Sequence, residues 1–174
     1  MSFTDREFRD ALGQFATGVC VITSDVDGIL LGATVSSFNS VSLAPPLILF
    51  SLARSAQTLE LWLKATHFGV TVLAENQTDL SNRFARGGAD KWNGLAPLRG
   101  KTGVPLLRNG LVTFECETYA THEGGDHEII LGKVLEFSRT SANPLLFHGG
   151  RYQRLHSDQA IETPPNFDVW LHGW

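Results

Sequence analysis

Two strand-like runs, residues 113–121 and 128–139, are separated by His122-Glu123-Gly124-Gly125-Asp126-His127. Both runs are rich in β-branched, aromatic and aliphatic side chains, and Gly followed by Asp suits the stereochemistry of a tight reversal. The spacing predicts a long antiparallel hairpin. It also puts an ionisable ring, His127, in a turn where a ligand could meet it. Turn stereochemistry by itself accounts equally for Gly125 and Asp126, with Asp126 accepting backbone N–H bonds.

The rest of the chain is read around that hairpin. Thr4 and Glu7 form a capping-box pattern, Phe3 and Phe8 a hydrophobic staple, and Phe8, Leu12 and Phe15 share one helical face, so an opening helix is expected to cover a sheet. Strands follow at 19–23 and 29–35 about a turn at 24–28, then a polar patch at 36–40. After Pro45-Pro46 the apolar run 47–52, broken by Ser51, suits a strand buried on both faces. Ser55 is placed to cap a helix over 56–64. A strand at 67–73 and a helix at 77–85 come next. Residues 87–103 lack periodicity and read as an irregular surface loop, and 145–152 as a last short strand. Strands outnumber helices and do not alternate with them, which predicts a mainly β fold with flanking helices, a closed or nearly closed antiparallel barrel. One domain over 1–156 is expected, with an extended tail over 157–174 whose aromatic end (167–174) should dock on the body or on a second subunit.

Composition narrows the function classes. With 14 Lys and Arg against 18 Asp and Glu, the net charge is −4, and no basic run offers a nucleic-acid footprint. No apolar stretch is long enough to span a bilayer, so no membrane partner is expected, and the charged N-terminus is unlike a secretory signal. Cys20 and Cys116 each lie inside an apolar run and read as small core residues, without zinc-type spacing or a disulfide framework, which makes the cytoplasm the expected location. His122, His127 and His148 with Glu123 and Asp126 match no helical metal-binding spacing, so no metal is expected, and a hydrolase using His122 and His127 is a poor reading. No G-x-G-x-x-G, no P-loop and no G-x-S-x-G elbow occurs.

The remaining chemistry lies in residues 32–58, which read as a phosphate-and-ring site of the flavin kind. Thr34, Ser36, Ser37 and Ser40 supply hydroxyls, the backbone from Val35 to Phe38 supplies amides, and a helix opening near Ser55 would present N–H groups to a phosphate. Arg54, Ser55 and Thr58 would add side-chain donors. In the alternative reading Ser55 only caps a helix and the serines form a polar loop.

Several pieces, in this order and at these separations, resemble the short-chain flavin reductases of two-component monooxygenases: Phe15-Ala16-Thr17-Gly18-Val19, the segment 32–38, Ser40-Val41-Ser42-Leu43-Ala44-Pro45-Pro46-Leu47, Gln77 with Arg83-Phe84-Ala85, Gly125-Asp126-His127, and Gly132-Lys133-Val134. The resemblance runs from about Phe8 to Leu155. It implies a homodimeric split β-barrel that reduces FMN or FAD with NADH or NADPH and supplies a separate monooxygenase. By position, Thr34, Val35, Ser36 and Ser37 would lie along the isoalloxazine; Ser51, Leu52 and Ala53 would flank the ribityl chain; Ser55 and Thr58 would meet the phosphate. Phe84 would line the pocket, His127 beside Asp126 would approach the nicotinamide, and Tyr152 would help close the site. Family members often carry Asn where this chain has Ser36, and the 167–174 end has no counterpart there. A non-catalytic flavin- or haem-binding protein on the same barrel is the alternative.

Overall fold

The computed structural model describes residues 2–88 and 91–156, so the expected tail at 157–174 lies outside the described residues. In chain order these residues form α1 (Asp5–Leu12), β1 (Thr17–Gly18), β2 (Cys20–Val26), β3 (Ile29–Val35), β4 (Asn39–Leu43), β5 (Pro46–Ala53), α2 (Leu59–Lys64) and β6 (His67–Val72). Next come α3 (Thr78–Ala85), β7 (Leu98–Arg99), β8 (Pro105–Leu106), β9 (Val112–Gly124), β10 (His127–Arg139), β11 (Leu146–His148) and β12 (Arg151–Gln153). Seven strands make one antiparallel sheet in the order β3-β2-β6-β9-β10-β5-β4, curled so that β3 returns towards β5. This is the split β-barrel that the sequence led us to expect. A smaller sheet, β1-β11-β12, lies beside α1, whose last turn is tied to it where the Gly149 amide donates to the Gly13 carbonyl at 2.8 Å.

Local chemistry sets the turns. The β2–β3 reversal uses only Asp27 and Gly28, both at positive φ (53° and 82°) as a two-residue hairpin requires, while Ser24 to Val26 continue β2 instead of turning. The β9–β10 hairpin is longer than its sequence pattern suggested, and its turn shrinks to Gly125 and Asp126, with Gly125 at φ 75°. His122, Glu123 and Gly124 therefore belong to β9. The closing strand of 145–152 divides into β11 and β12 about Gly149-Gly150, and the polar patch runs on into β4.

The core has two parts. Inside the barrel, Cys20, Ile22, Phe50, Trp62, Phe68, Cys116 and Ile130 pack together, with Phe50 edge-on to Phe68 at 5.1 Å between centroids. On the outer face of β2, Val19, Val21, Leu73, Phe84, Trp92, Leu107 and Leu145 form the second cluster. The strands buried on both faces are β2 and β6, whereas β5 buries Ile48, Phe50 and Leu52 on one side and, beyond Leu47, leaves Leu49, Ser51 and Ala53 half-buried on the other. Gly132 lets the Phe68 ring pack against the β10 backbone, since a Cβ there would collide with the ring, and the ladder shifts register at the same point.

Two further features shape the frame. The α1 capping box forms as expected, the Thr4 amide donating to Glu7 Oε2 at 2.7 Å and Phe3 meeting Phe8 at 5.5 Å. Against the described residues, however, the helix buries none of its own, and Phe8, Leu12 and Phe15 are exposed. Elsewhere, Glu115 on β9 is buried and accepts from the Thr102 hydroxyl and amide (both 2.7 Å) and the Lys101 amide (3.0 Å). Burial pushes its carboxyl up, but these hydrogen bonds and the Lys101 charge outweigh burial and hold it below the usual carboxylate range.

Candidate functional site

The barrel is stitched at its seam by one side chain. Ser37, just past the end of β3, accepts from the Ser51 amide (2.9 Å) and donates to the Ser51 carbonyl (3.3 Å) on β5. Cavities of about 730 Å³ and 530 Å³ open along this seam and share Thr34, Leu52 and Ala53, so they make one continuous cleft.

The larger, closed end is walled by β3, by Thr58 and Trp62, and by the end of α3. Gly32 has no side chain because the Phe84 ring occupies the place a Cβ would take, which brings the ring directly onto the β3 backbone. Trp92 stands edge-on to Phe84 at 5.1 Å and its indole N–H donates to the Leu31 carbonyl at 3.2 Å. Lys91 reaches in beside it, its ammonium donating to the carbonyls of Gly32 and Phe84, both at 2.9 Å. Burial pushes the Lys91 pKa down. Residues 91 and 92 thus belong to the wall of the cleft, where sequence reasoning placed a surface loop. The signal that could have found them is a Trp in a segment without periodicity, because so large an apolar ring is rarely left in water.

The smaller, open end is lined by Thr34 to Ser37, Ser51 to Ala53, Gly124, His127 and Ile129. Thr34 donates its hydroxyl to the Ser81 carbonyl at 2.7 Å and Ser37 is committed to the stitch, so the uncommitted hydroxyls here are those of Ser36 and Ser51 among the described residues. Val35 lines this end while its side chain is part of the core. His127 begins β10, opposite Ala53 of β5 and Gly124 of β9, with its side chain 43% exposed. Its Nδ1 lies 2.7 Å from Asp126 Oδ1, and the hydrogen bond and charge of His127 hold the Asp126 carboxyl below the usual range. Asp126 therefore puts its carboxylate on the ring of its neighbour, and the turn is held by its carbonyl, which accepts from the Arg54 amide at 2.8 Å.

Five of the residues singled out from the sequence line neither end. Ser40 lies in β4, opposite Ile48 on the same edge of β5 as the seam, and lines neither cavity. Ser55 is exposed in a turn, because α2 starts three residues later than expected, at Leu59 after Thr58. With six residues and no side-chain cap, α2 offers no N-terminal phosphate site led by Ser55; Thr58 does line the closed end. Arg54 turns to Glu123 and Glu128 at 2.8 and 2.6 Å. Asp126 is exposed beside the cleft, and Tyr152 lies behind α3, its hydroxyl 2.8 Å from Ser81 Oγ and 2.9 Å from Asn82 Oδ1.

A family model described as "Flavin reductase like domain" matches residues 12–156. The chain belongs to this family. It is 44% identical over 149 residues to the FMN reductase (NADH) SmoA of Agrobacterium fabrum, covering 86% of this chain and 85% of that one. It is 36% identical to the flavin-dependent monooxygenase reductase subunit HsaB of Rhodococcus jostii, over 94% of this chain and 85% of the relative. Two other curated relatives are longer, and the chain spans about half of each, 49% and 48%. Among solved structures it superposes on the Streptomyces globisporus NADH:FAD oxidoreductase SgcE6, in complex with NAD and FAD fragments, with a TM-score of 0.84 at 34% identity over 90% of this chain and 96% of the other.

The donor set fits a flavin. A planar tricyclic ring needs a flat slot, a few polar contacts at its edge and a cation or hydroxyl for its phosphate. The seam offers a slot between β3 and β5, with the Ser36 and Ser51 hydroxyls at its open end and Thr58 and Lys91 at its closed end. Among the described residues no group of three or more metal-ligating side chains occurs, and no helix is long and apolar enough to cross a membrane.

Proposed function

We propose that the protein transfers a hydride from NADH or NADPH to FMN or FAD seated in the β3–β5 seam, and passes the reduced flavin to a separate monooxygenase. The observation that carries this reading is the continuous cleft with a buried aromatic wall and the Lys91 ammonium at one end and a half-exposed His127 at the other. When bound, flavin supplies the hydride acceptor and reduced nicotinamide the donor, and the protein supplies orientation. Phe84, Trp92 and Trp62 exclude water from the closed end. Thr58 and Lys91 hold the phosphate, Ser36 and Ser51 fix the ring edge and ribityl chain, and Ala53 leaves room between them. His127, steadied by Asp126, meets the nicotinamide at the open face as a positioning group, since the hydride step itself calls for no proton relay at that atom.

The same reading includes a C2 homodimer in the cytoplasm. Val41 and Leu43 on β4 and Leu135 and Phe137 on β10 are exposed on strands either side of β5, and an apolar surface of this kind is covered most simply by its own copy. Two buried free thiols suit a reducing compartment.

A cuvette holding the protein, NADH and added FMN or FAD tests the activity. Loss of the NADH absorbance band that depends on both protein and flavin is expected. Flavin binding without NADH oxidation would leave a passive flavin-binding barrel.

A further inference from the structure

The hairpin tip beside His127 stands on an electrostatic fault. Glu123 of β9 and Glu128 of β10 are direct cross-strand partners, one rung below the rung His127 shares with Gly124. Like charges directly opposite each other in an antiparallel ladder repel and open the strands. Here a single cation lies between them. Arg54 reaches Glu123 Oε1 through Nη2 at 2.8 Å and Glu128 Oε1 through Nη2 and Nε at 2.6 and 2.8 Å. Its hydrogen bond holds the Glu123 carboxyl below the usual range.

Arg54 is also the first residue beyond β5, which ends at Ala53 opposite His127. Its amide donates to the Asp126 carbonyl at 2.8 Å, so backbone and side chain of one residue tie the tip of the hairpin to the strand that lines the cleft. The guanidinium pulls the two carboxylates towards β5, and the tip follows.

We propose that Arg54 is a positioning residue: by neutralising the facing Glu123–Glu128 pair it holds the hairpin tip so that His127 meets the nicotinamide. This rests on the reading of the open end given above, and it reassigns Arg54 from the flavin phosphate to the geometry of the hydride-donor side. The repulsion it cancels makes the idea separable from a plain loss of charge. Without Arg54 the tip should splay, and removing one of the two carboxylates as well should let it settle back.

Stopped-flow reduction of protein-bound flavin at varied NADH concentration, with flavin affinity measured by fluorescence titration, reads this out in the full chain. Arg54→Gln should raise the half-saturating NADH concentration about three- to fivefold, the size of effect expected for one surface ion cluster, with flavin affinity unchanged. Arg54→Lys should keep most of the wild-type behaviour. Arg54→Gln/Glu123→Gln should return towards wild type, although it has lost two charged groups. A double variant as impaired as Arg54→Gln would overturn the proposal, because the cation would then act directly. Weakened flavin affinity in Arg54→Gln would overturn it too, returning the residue to the phosphate. His127→Ala is run in parallel: if it impairs the NADH dependence while Arg54→Gln does not, only the proposal for Arg54 falls. If His127→Ala itself is silent, the reading of the open end falls and the proposal with it.

Discussion

At the closed end of the seam, Phe84, Trp62 and Trp92 are 1%, 3% and 7% exposed, and Gly32 yields its own side-chain space so that the Phe84 ring can touch the β3 backbone. At the open end, His127 keeps nearly half its side chain in solvent and is held beside an ion cluster in which Arg54 and Glu123 are exposed and Glu128 is partly shielded. Burial of large rings fixes one end with several kcal/mol per residue, while exposed ion pairs steer the other with far less and weaken as salt rises. A ligand held at the closed end meets a preformed wall, and a second ligand arriving at the open end meets a part that can give way. Strand β9 repeats the contrast along its own length. Glu115 is buried under three donors, and Glu123, eight residues on, is 82% exposed at its side chain with Arg54 as its ion partner.

The largest effect should come from the closed end. Phe84→Ala opens a cavity under β3 and should destabilise the fold by about 3–5 kcal/mol, with flavin affinity falling alongside. Denaturant melts and a flavin titration check both. Stability kept within about 1 kcal/mol would mean that this end is no more rigid than the hairpin.

Glu115→Gln comes next. It weakens two backbone N–H bonds and one hydroxyl bond to a charged acceptor and should cost about 1.5–3 kcal/mol. Because the folded carboxyl is held below its usual range, its contribution is complete above the unfolded pKa of about 4.3 and is lost as the pH falls through the lower folded value. The wild-type melting temperature should therefore fall more steeply below about pH 4 than that of the variant. Parallel acid limbs would remove Glu115 as the cause.

His127→Ala should leave the melting temperature and flavin affinity near wild type and lower kcat/KM for NADH about tenfold, the size expected for one orienting contact. A large loss of stability instead would make the open end structural in the way the closed end is.

The smallest effect divides two neighbours. Thr58→Ala should weaken flavin binding by about 1 kcal/mol, and Ser55→Ala should leave it unchanged, because only Thr58 lines the cleft. The reverse order, read by isothermal titration, would bring the phosphate back to Ser55.

The closed and open ends were also unequally legible in the sequence. The β3 and β5 walls showed themselves as a polar patch, Ser36 and Ser37, set before the apolar run 47–52, and the patch and the end of the run line the cleft. The hairpin was visible too, but not its length, since residues 121–124 are exposed on both faces and carry no alternation. Lys91 and Trp92 were hidden because their places depend on the β3 carbonyls of Gly32 and Leu31, about sixty residues away in sequence. Arg54 looked like a phosphate ligand because it precedes a helix. Its partners, Glu123 and Glu128, lie about seventy residues further on, and nothing local announces them. Ser55 carried an N-cap signal, yet the chain makes another turn before α2 begins at Leu59. The opening helix showed its apolar face correctly but not what covers it, because amphipathicity does not distinguish a face turned to its own sheet from one turned outwards.

The central claim is that flavin lies in the seam between β3 and β5, and Ala53 is the residue at which to test it. It lines both ends of the cleft and stands opposite His127. A tryptophan there would fill the slot from the half-exposed face of β5 without entering the core. Fluorescence titration of FMN or FAD against Ala53→Trp should show binding weakened at least about tenfold, in a protein that melts near the wild-type temperature. Wild-type affinity in that folded variant would place the flavin somewhere other than the seam.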